Sequence, residues 1–209
     1  MVKGIVFDLD NCIFDTRSMG EDVIDPVLKP VTSSDLPREI KRGVAEALWT
    51  TALEDVIDQY RLPPEVAEKM REACRTIEIP KERSIKTFGD EQCIADLPVK
   101  KYLVTSGYRK FQQSKIDRLH IAGLFDEIII NDADYREERK GKVQIFKEIL
   151  ETEKWDTSEV LVVGDNPKSE LGAARAVGVK CVQILRPQVI KWNTADYHIE
   201  SLCELRFLL

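Results

Sequence analysis

Acidic side chains that could attack phosphorus or bind a cation follow two separate apolar runs of the chain. Asp8 and Asp10 lie at the end of the first run, and Asp165 comes after a much later one. The spacing of two residues places Asp8 and Asp10 on the same side of an extended segment. One carboxylate could attack phosphorus and form an aspartyl phosphate. A second could protonate the leaving alcohol and then accept a proton from water.

Other polar groups that suit phosphate and Mg²⁺ also follow apolar runs. They are Thr105-Ser106-Gly107, a basic stretch with Arg139, Lys140 and Lys142, and Gly164-Asp165-Asn166 with Glu170 beyond it. Mg²⁺ prefers hard oxygen ligands, and it would bridge the carboxylates and the phosphate. A hydroxyl such as that of Thr105 and an ammonium such as that of Lys140 would hold the phosphoryl oxygens as charge develops on them.

The elements that must position these residues alternate along the chain. Five apolar segments predict buried strands: Gly4 to Leu9, Tyr102 to Thr105, Glu127 to Asn131, Val160 to Val163, and Val179 to Ile184. Helices are predicted over Lys110 to Leu119, Val143 to Glu153 and Ser169 to Val177, with Pro167 as a first helical residue and Gly178 ending the last helix. This order predicts an α/β fold with a parallel sheet covered by helices on both faces. Ligands bind at the carboxyl ends of the strands in such sheets.

The interval from about Asp15 to about Asp90 contains no convincing strand. Val44, Leu48, Ala52 and Val56 recur every four residues, and so do Val66, Met70 and Cys74. This spacing is typical of helices, and Pro63-Pro64 would separate two of them. We therefore expect an inserted all-helical domain at 16–90 and a core formed by 1–15 and 91–209.

Composition limits the class of partner. The 209 residues carry a net charge of -6, which argues against nucleic acid as the main partner because backbone binding needs a basic face. Neither a signal peptide nor an uncharged apolar run near the ~20 residues of a membrane span is visible. We expect a cytoplasmic protein that does not bind membranes, with most of its five cysteines buried and reduced. The oligomeric state is left open.

Four segments together resemble the motifs of the haloacid dehalogenase (HAD) superfamily. FDLDNCIFDT, LVTSGYRK and VVGDNPKSELGAARAVG look like its first, second and fourth motifs, and KGKVQIF resembles the third. The resemblance implies a Rossmann-like core and Mg²⁺ as cofactor. It implies Asp8 as nucleophile and metal ligand, Asp10 as acid–base and as metal ligand through its backbone carbonyl, and Asp165 as metal ligand. It also implies phosphate binding by the Thr105-Ser106-Gly107 segment and by the motif-three lysine.

Three departures from the family pattern affect these assignments. Cys12 stands where Thr or Val is usual. Gly141 replaces a common Pro, so Lys140 and Lys142 both remain candidates, and the position of Phe146 favours Lys140. Glu170 replaces the commoner Asp, and we expect it, with Asn166, to orient the lysine or a metal-bound water instead of binding the metal directly.

The helical insertion looks like the first type of cap in this superfamily, which closes over the site and shapes substrate choice. The expected function is a Mg²⁺-dependent phosphatase that acts on a small phosphorylated metabolite. A phosphomutase of the same fold and a non-catalytic regulatory or binding protein remain alternatives.

Overall fold

Six strands form one parallel sheet in the computed structural model, which describes residues 1–134 and 141–209. The strands are β1 (Gly4–Phe7), β2 (Lys100–Gly107), β3 (Glu127–Asp132), β4 (Val160–Gly164), β5 (Lys180–Ile184) and β6 (Tyr197–Ile199). Their order across the sheet is β3-β2-β1-β4-β5-β6, and each neighbouring pair is parallel. The predicted α/β class is therefore confirmed. The sixth strand was not predicted.

Both faces of the sheet are buried, as parallel sheets require. Neighbouring residues of a strand point to opposite faces, and the central strands alternate between two hydrophobic clusters accordingly. On β1, Ile5 and Phe7 pack into one cluster, while Val6 packs into the other. The same division separates Val163 from Val162 on β4. Apolar residues on both sides of these strands thus account for the layered fold.

The helices lie between the strands in the chain. They are α1 (Asp25–Thr32), α2 (Arg38–Ala47), α3 (Leu53–Tyr60), α4 (Pro64–Thr76), α5 (Gln92–Ala95), α6 (Arg109–Leu119), α7 (Gly141–Glu153) and α8 (Glu170–Val177). Short 3₁₀ helices cover Thr16–Met19, Glu21–Val23, Ala122–Leu124, Thr157–Glu159 and Leu202–Phe207. None of the helices in the described part of the chain is long and apolar enough to cross a membrane.

The four helices α1 to α4 form the predicted helical insertion between β1 and β2. They pack around their own cluster of buried residues, which includes Val31, Val44 and Met70. The entry and exit of the insertion run side by side, since Asp15 N donates to Lys86 O (3.0 Å) and Phe88 N donates to Ile13 O (3.1 Å). The treatment of 16–90 as a separate domain stays a prediction.

Two local predictions were wrong. The stripe from Val44 to Val56 belongs to two helices, because α2 ends at Ala47 and α3 begins at Leu53. Helix α8 begins at Glu170, so Pro167 lies in a turn before it. Asn166 stabilises this turn because its side-chain oxygen accepts from Lys168 N (2.9 Å). Gly178 ends α8 in a left-handed conformation (φ 80°), as predicted.

The cysteines divide into two groups. Cys12, Cys74 and Cys181 are buried and free, which confirms the prediction for these three. Cys93 and Cys203, however, form a disulfide that connects α5 to the C-terminal 3₁₀ helix across 110 residues of sequence. That pairing was not expected, because we interpreted the sequence as that of a protein in a reducing compartment and the two cysteines lie far apart in it.

Candidate active site

Three predicted site residues meet at one edge of the sheet because of strand register. Phe7 lies beside Leu103 on one side and Val163 on the other. Asp8, Thr105 and Asp165 follow these positions within two residues, so all three lie where their strands end. Asp8 N also donates to Val163 O (2.9 Å), which extends the contact with β4 beyond the last residue of β1.

Asp8, Asp165 and Glu170 form an acidic cluster in which one carboxylate oxygen from each residue lies within 4.8 Å of the others. Burial raises the pKa of Asp8 to about 7, against the lowering effect of Lys142 and with a further increase from Glu170. Burial, then Glu170 and Asp8, also raise the pKa of Asp165 well above its usual value. The cluster therefore has more negative charge than its surroundings neutralise, and hard carboxylate oxygens at this spacing suit a divalent cation.

Among the residues that the structure describes, Lys142 places its ammonium group beside the cluster. Its buried Nζ donates to Asp8 Oδ1 (2.6 Å) and Glu170 Oε2 (2.9 Å). Burial alone would lower the pKa of Lys142, but Asp8 and Glu170 together raise it above its usual value. The residue occupies the first turn of α7, which points its side chain at the end of β1. Lys140, which the sequence favoured, lies outside the described residues.

Glu170 approaches the end of β4 closely because Gly164 has no side chain. A Cβ at Gly164 would lie 2.2 Å from Glu170 Oε1, so any other residue would displace the carboxylate. Glu170 Oε1 accepts from Asn166 N (2.7 Å), while Oε2 accepts from Lys142. Glu170 thus orients a lysine, in the way expected for Lys140, and it also lies close enough to Asp8 and Asp165 to share an ion with them.

The second motif provides hydroxyls at the end of β2. Thr105 is buried, and its Oγ1 accepts a hydrogen bond from Gln112 Nε2. Ser106 Oγ accepts from Asn131 Nδ2 (3.0 Å) on the neighbouring strand β3. Gly107 ends the strand with a positive φ of 149°, a conformation that favours glycine. A phosphoryl group bound at the ends of the strands would lie next to these polar groups of β2.

Asp10 points to a different set of partners. Its Oδ1 and Oδ2 accept from Lys115 Nζ (2.8 and 3.0 Å), and Oδ2 also accepts from Gln112 Nε2 (3.0 Å). The carboxylate is absent from the acidic cluster found among the described residues. A metal contact through the backbone carbonyl of Asp10 and an acid–base role for its side chain therefore remain predictions.

The sequence interpretation missed three buried polar residues near the site. Gln112 and Lys115 lie on α6, three positions apart and thus on one face of the helix. Gln183 on β5 donates to Asp165 O (3.1 Å) and so fixes the loop that carries that carboxylate. In the sequence, each of these three is only a polar residue within an otherwise apolar helix face or strand. Such a residue alone does not indicate a site.

The helical insertion contacts the loops that carry the site. Asn11 Nδ2 donates to Trp49 O (3.2 Å), and Asn166 Nδ2 donates to Thr50 O (3.4 Å). Arg17 forms an ion pair with Glu46. The segment between α2 and α3 therefore touches the loops after both β1 and β4.

The chain is similar to known hydrolases in sequence and in fold. A family model described as "Haloacid dehalogenase-like hydrolase" matches residues 5–184. The glyceraldehyde 3-phosphate phosphatase of Pyrococcus abyssi is 25% identical over 199 residues, covering 87% of this chain and 81% of that protein.

Solved structures show the same fold. YfnB of Bacillus subtilis, solved bound to magnesium, superposes with a TM-score of 0.62 at 18% identity, covering 100% of this chain and 98% of that chain. L-2-haloacid dehalogenase from Xanthobacter autotrophicus superposes with a TM-score of 0.60 at 18% identity and the same coverage.

Proposed function

This chain belongs to the haloacid dehalogenase-like hydrolase family, and we propose that it hydrolyses a phosphate monoester of a small metabolite with the help of Mg²⁺. The observation that carries the proposal is the acidic cluster of Asp8, Asp165 and Glu170, whose oxygens lie within 4.8 Å of one another. Three carboxylates gathered at the strand ends would repel a phosphate dianion. A divalent cation between them reverses the local field and makes phosphate binding favourable.

The carboxylates present fit such a cation. Burial raises the pKa of Asp8 and of Asp165 because it penalises their charged forms, and Lys142 offsets this only in part, which favours a bound cation. Asp8, Asp165 and the backbone carbonyl of Asp10 would bind Mg²⁺, with Glu170 close enough to join them or to hold a bound water. When bound, Mg²⁺ neutralises charge on the phosphoryl oxygens and orients the phosphate for attack.

The residues of the chain carry the two half-reactions. In the first, a carboxylate oxygen of Asp8 forms a bond to phosphorus, the bond from phosphorus to the ester oxygen breaks, and the leaving oxygen takes a proton from the carboxyl group of Asp10. In the second, Asp10 accepts a proton from water as that water bonds to phosphorus, and the aspartyl–phosphate bond breaks. The products are the alcohol and inorganic phosphate, and both carboxyl groups return to their starting states.

The remaining polar groups stabilise the transferring phosphoryl group. Lys142 Nζ lies 2.6 Å from the attacking carboxylate of Asp8, so its charge is close to the position of the phosphoryl oxygens. Thr105, Ser106 and the backbone at Gly107 lie at the end of β2, the strand next to β1. Groups fixed before the reaction stabilise developing charge more effectively than mobile ones.

Asp10 favours phosphate-ester hydrolysis over dehalogenation. A halide leaves as a stable anion and needs no proton donor, whereas an alcohol leaving group does. The similarity to Pyrococcus abyssi glyceraldehyde 3-phosphate phosphatase points in the same direction. The helical insertion, which touches the site loops through Trp49 O and Thr50 O, would shape the choice of substrate.

A hydrolysis screen tests the proposal. Purified protein is assayed with Mg²⁺ or with EDTA on 4-nitrophenyl phosphate, glyceraldehyde 3-phosphate, phosphoglycolate, nucleoside monophosphates and sugar phosphates, with 2-chloropropionate as the dehalogenase substrate. We expect phosphate release that requires Mg²⁺ and is abolished by Asp8→Asn. Chloride release without phosphate release would contradict the proposal, and isomerisation of a sugar phosphate would identify a mutase instead.

Asp165→Asn tests the metal assignment separately. The loss of one charged ligand should raise the Mg²⁺ concentration needed for half-maximal activity, while Lys110→Met, a change at an exposed lysine of α6, should leave it unchanged. An unaltered Mg²⁺ requirement in Asp165→Asn would remove Asp165 from the proposed ligands.

A further inference from the structure

The carboxylate of Asp10 is held by two buried side chains of α6 to which the reaction described above assigns no task. Lys115 Nζ lies 2.8 and 3.0 Å from the two carboxylate oxygens, and Gln112 Nε2 lies 3.0 Å from Oδ2. We propose that Lys115 and Gln112 are positioning residues that fix the Asp10 carboxyl group in the orientation from which it protonates the leaving oxygen. The inference rests on the proposed function and adds two residues to it.

The backbone contacts of Asp10, which include a bridge to Phe14, do not by themselves select the rotamer of its side chain. Asp8 N is bonded to Val163 O, so Asp8 still follows the sheet. Asp10 lies beyond this contact, in the turn where Ile13 N and Phe14 N both donate to Leu9 O. A free carboxyl group there would sample several staggered rotamers. A small misplacement of a reacting group is enough to slow catalysis strongly.

The burial of Lys115 indicates that this contact is more than a surface ion pair. Lys115 is only 5% exposed, and lysine is almost never buried without a partner. Its Nζ faces the carboxylate of Asp10 on one side and the rings of Phe111 (4.3 Å) and Phe14 (5.8 Å) on the other. Lys110 on the same helix lies at the surface instead, where it pairs with Glu78 and donates to Thr76 O.

Asp10 keeps one face open to a substrate. The side chain of Asp10 remains 29% exposed although that of Lys115 is 6% exposed. The lysine thus contacts the carboxylate from the protein side. This arrangement holds the group without covering it, which is what a proton donor to a bound ester requires.

Gln112 connects the acid–base group to the phosphate-binding strand end. The same Nε2 atom lies within hydrogen-bonding distance of Asp10 Oδ2, Thr105 Oγ1 and Ser106 O. A Cβ at Gly107 would lie 3.2 Å from the Gln112 side chain, so glycine there leaves room for this approach. The position of Asp10 is therefore tied to that of the group that holds the phosphate.

The dependence on the leaving group separates positioning from a purely structural role. Lys115→Met, Gln112→Leu and the control Lys110→Met are assayed with Mg²⁺ on phenyl phosphate and 4-nitrophenyl phosphate. These esters are similar in size, but phenol leaves poorly without a proton whereas nitrophenol does not need one. The ratio kcat/KM reports the steps up to cleavage of the ester bond, in which Asp10 acts as the acid.

We expect Lys115→Met to lower kcat/KM for phenyl phosphate by roughly 10- to 100-fold, which is part of the roughly 100- to 10,000-fold that general acid–base catalysis contributes, because Asp10 itself remains. The loss of kcat/KM for 4-nitrophenyl phosphate should be at least about fivefold smaller than the loss for phenyl phosphate. The Mg²⁺ requirement should not change, because Lys115 contacts none of the acidic cluster. Gln112→Leu keeps the ion pair, and we expect the same selectivity with a smaller loss. Lys110→Met should behave as the unmodified protein.

Equal losses on both esters, or no loss on either, would overturn the inference. Thermal unfolding of each variant shows whether it is folded. If Lys115→Met does not fold, the comparison of the two esters with Gln112→Leu tests the inference. If the unmodified protein hydrolyses neither ester, the proposed function fails and the inference fails with it. If the unmodified protein is active and the losses are uniform, only the positioning role is lost.

Discussion

Replacement of Asp8, the proposed nucleophile, by Asn should stabilise the metal-free protein above neutral pH while it abolishes hydrolysis. The carboxylate is buried beside Asp165 and Glu170, and Lys142 compensates only part of the charge, so the pKa of Asp8 rises from 3.8 to about 7. Asn has nearly the same shape and carries no charge. The variant therefore removes the cost of an ionised group that the metal-free fold accommodates poorly.

The magnitude follows from the pKa. Each pKa unit corresponds to about 1.4 kcal/mol, so ionisation of Asp8 costs the folded state about 4 kcal/mol when the pH is well above 7. Between pH 3.8 and about 7 the folded protein binds more protons than the unfolded chain, so stability falls as pH rises through this window. Asp165, whose pKa is also raised, acts in the same direction.

Urea unfolding in EDTA, followed by tryptophan fluorescence at several pH values, measures this effect. The difference in free energy of unfolding between Asp8→Asn and the unmodified protein should grow from below ~1 kcal/mol at pH 4 to about 4 kcal/mol at pH 8. A difference that stays constant over this range would refute the reasoning.

Addition of Mg²⁺ provides the matched control for that experiment. The ion binds the folded state of the unmodified protein, so it should stabilise it by about 2.7 kcal/mol at 100 times the dissociation constant. Asp8→Asn lacks one ligand and should gain much less. An equal gain in both proteins would show that Asp8 does not bind the ion.

Three further changes test two ion pairs and the disulfide, which should stabilise the fold. Lys142→Met should destabilise the metal-free protein by about 3 kcal/mol at pH 8, since it leaves two buried carboxylates without their cation, and urea unfolding with no loss would contradict the contacts assigned to Lys142. Arg186→Met should cost about 3–5 kcal/mol, because it breaks a buried bidentate pair with Asp90; an unchanged unfolding midpoint would show that this pair contributes nothing. Reduction of the Cys93–Cys203 disulfide, or the double change to Ser, should lower stability by about 2–5 kcal/mol. A reductant should not affect the double variant further, and a further loss there would place the effect elsewhere.

The sheet could be predicted because its central strands are continuous apolar runs. Five strands were found from this signal, but β6 was not, since Tyr197–Ile199 is short and only Ile199 is fully buried. The helical character of the insertion was also predicted. The break between α2 and α3 was missed because the spacing of four residues continues from Val44 to Val56 across it.

The site was predictable where motif residues follow strands. Asp8, Thr105 and Asp165 are brought together by strand register alone. The contacts of Lys142 with Asp8 and Glu170 depend on the orientation of α7, which sequence spacing does not supply, and the preference for Lys140 stays a prediction.

Residues that act through other residues were harder to find from the sequence. Lys115 and Gln112 look like ordinary polar residues of an amphipathic helix, because only the packing of α6 against the turn after β1 brings them to Asp10. The Cys93–Cys203 disulfide was hard to predict for a similar reason, because 110 residues of sequence separate the two cysteines.

The most direct test of the central claim is to trap the covalent intermediate. The protein is mixed with Mg²⁺ and a substrate that it turns over, quenched in acid within one turnover, digested and analysed by mass spectrometry. We predict a phosphoryl group on the peptide that contains Asp8, located on that residue by fragmentation, and none in Asp8→Asn. Continued turnover without any phosphorylated Asp8 would contradict the account.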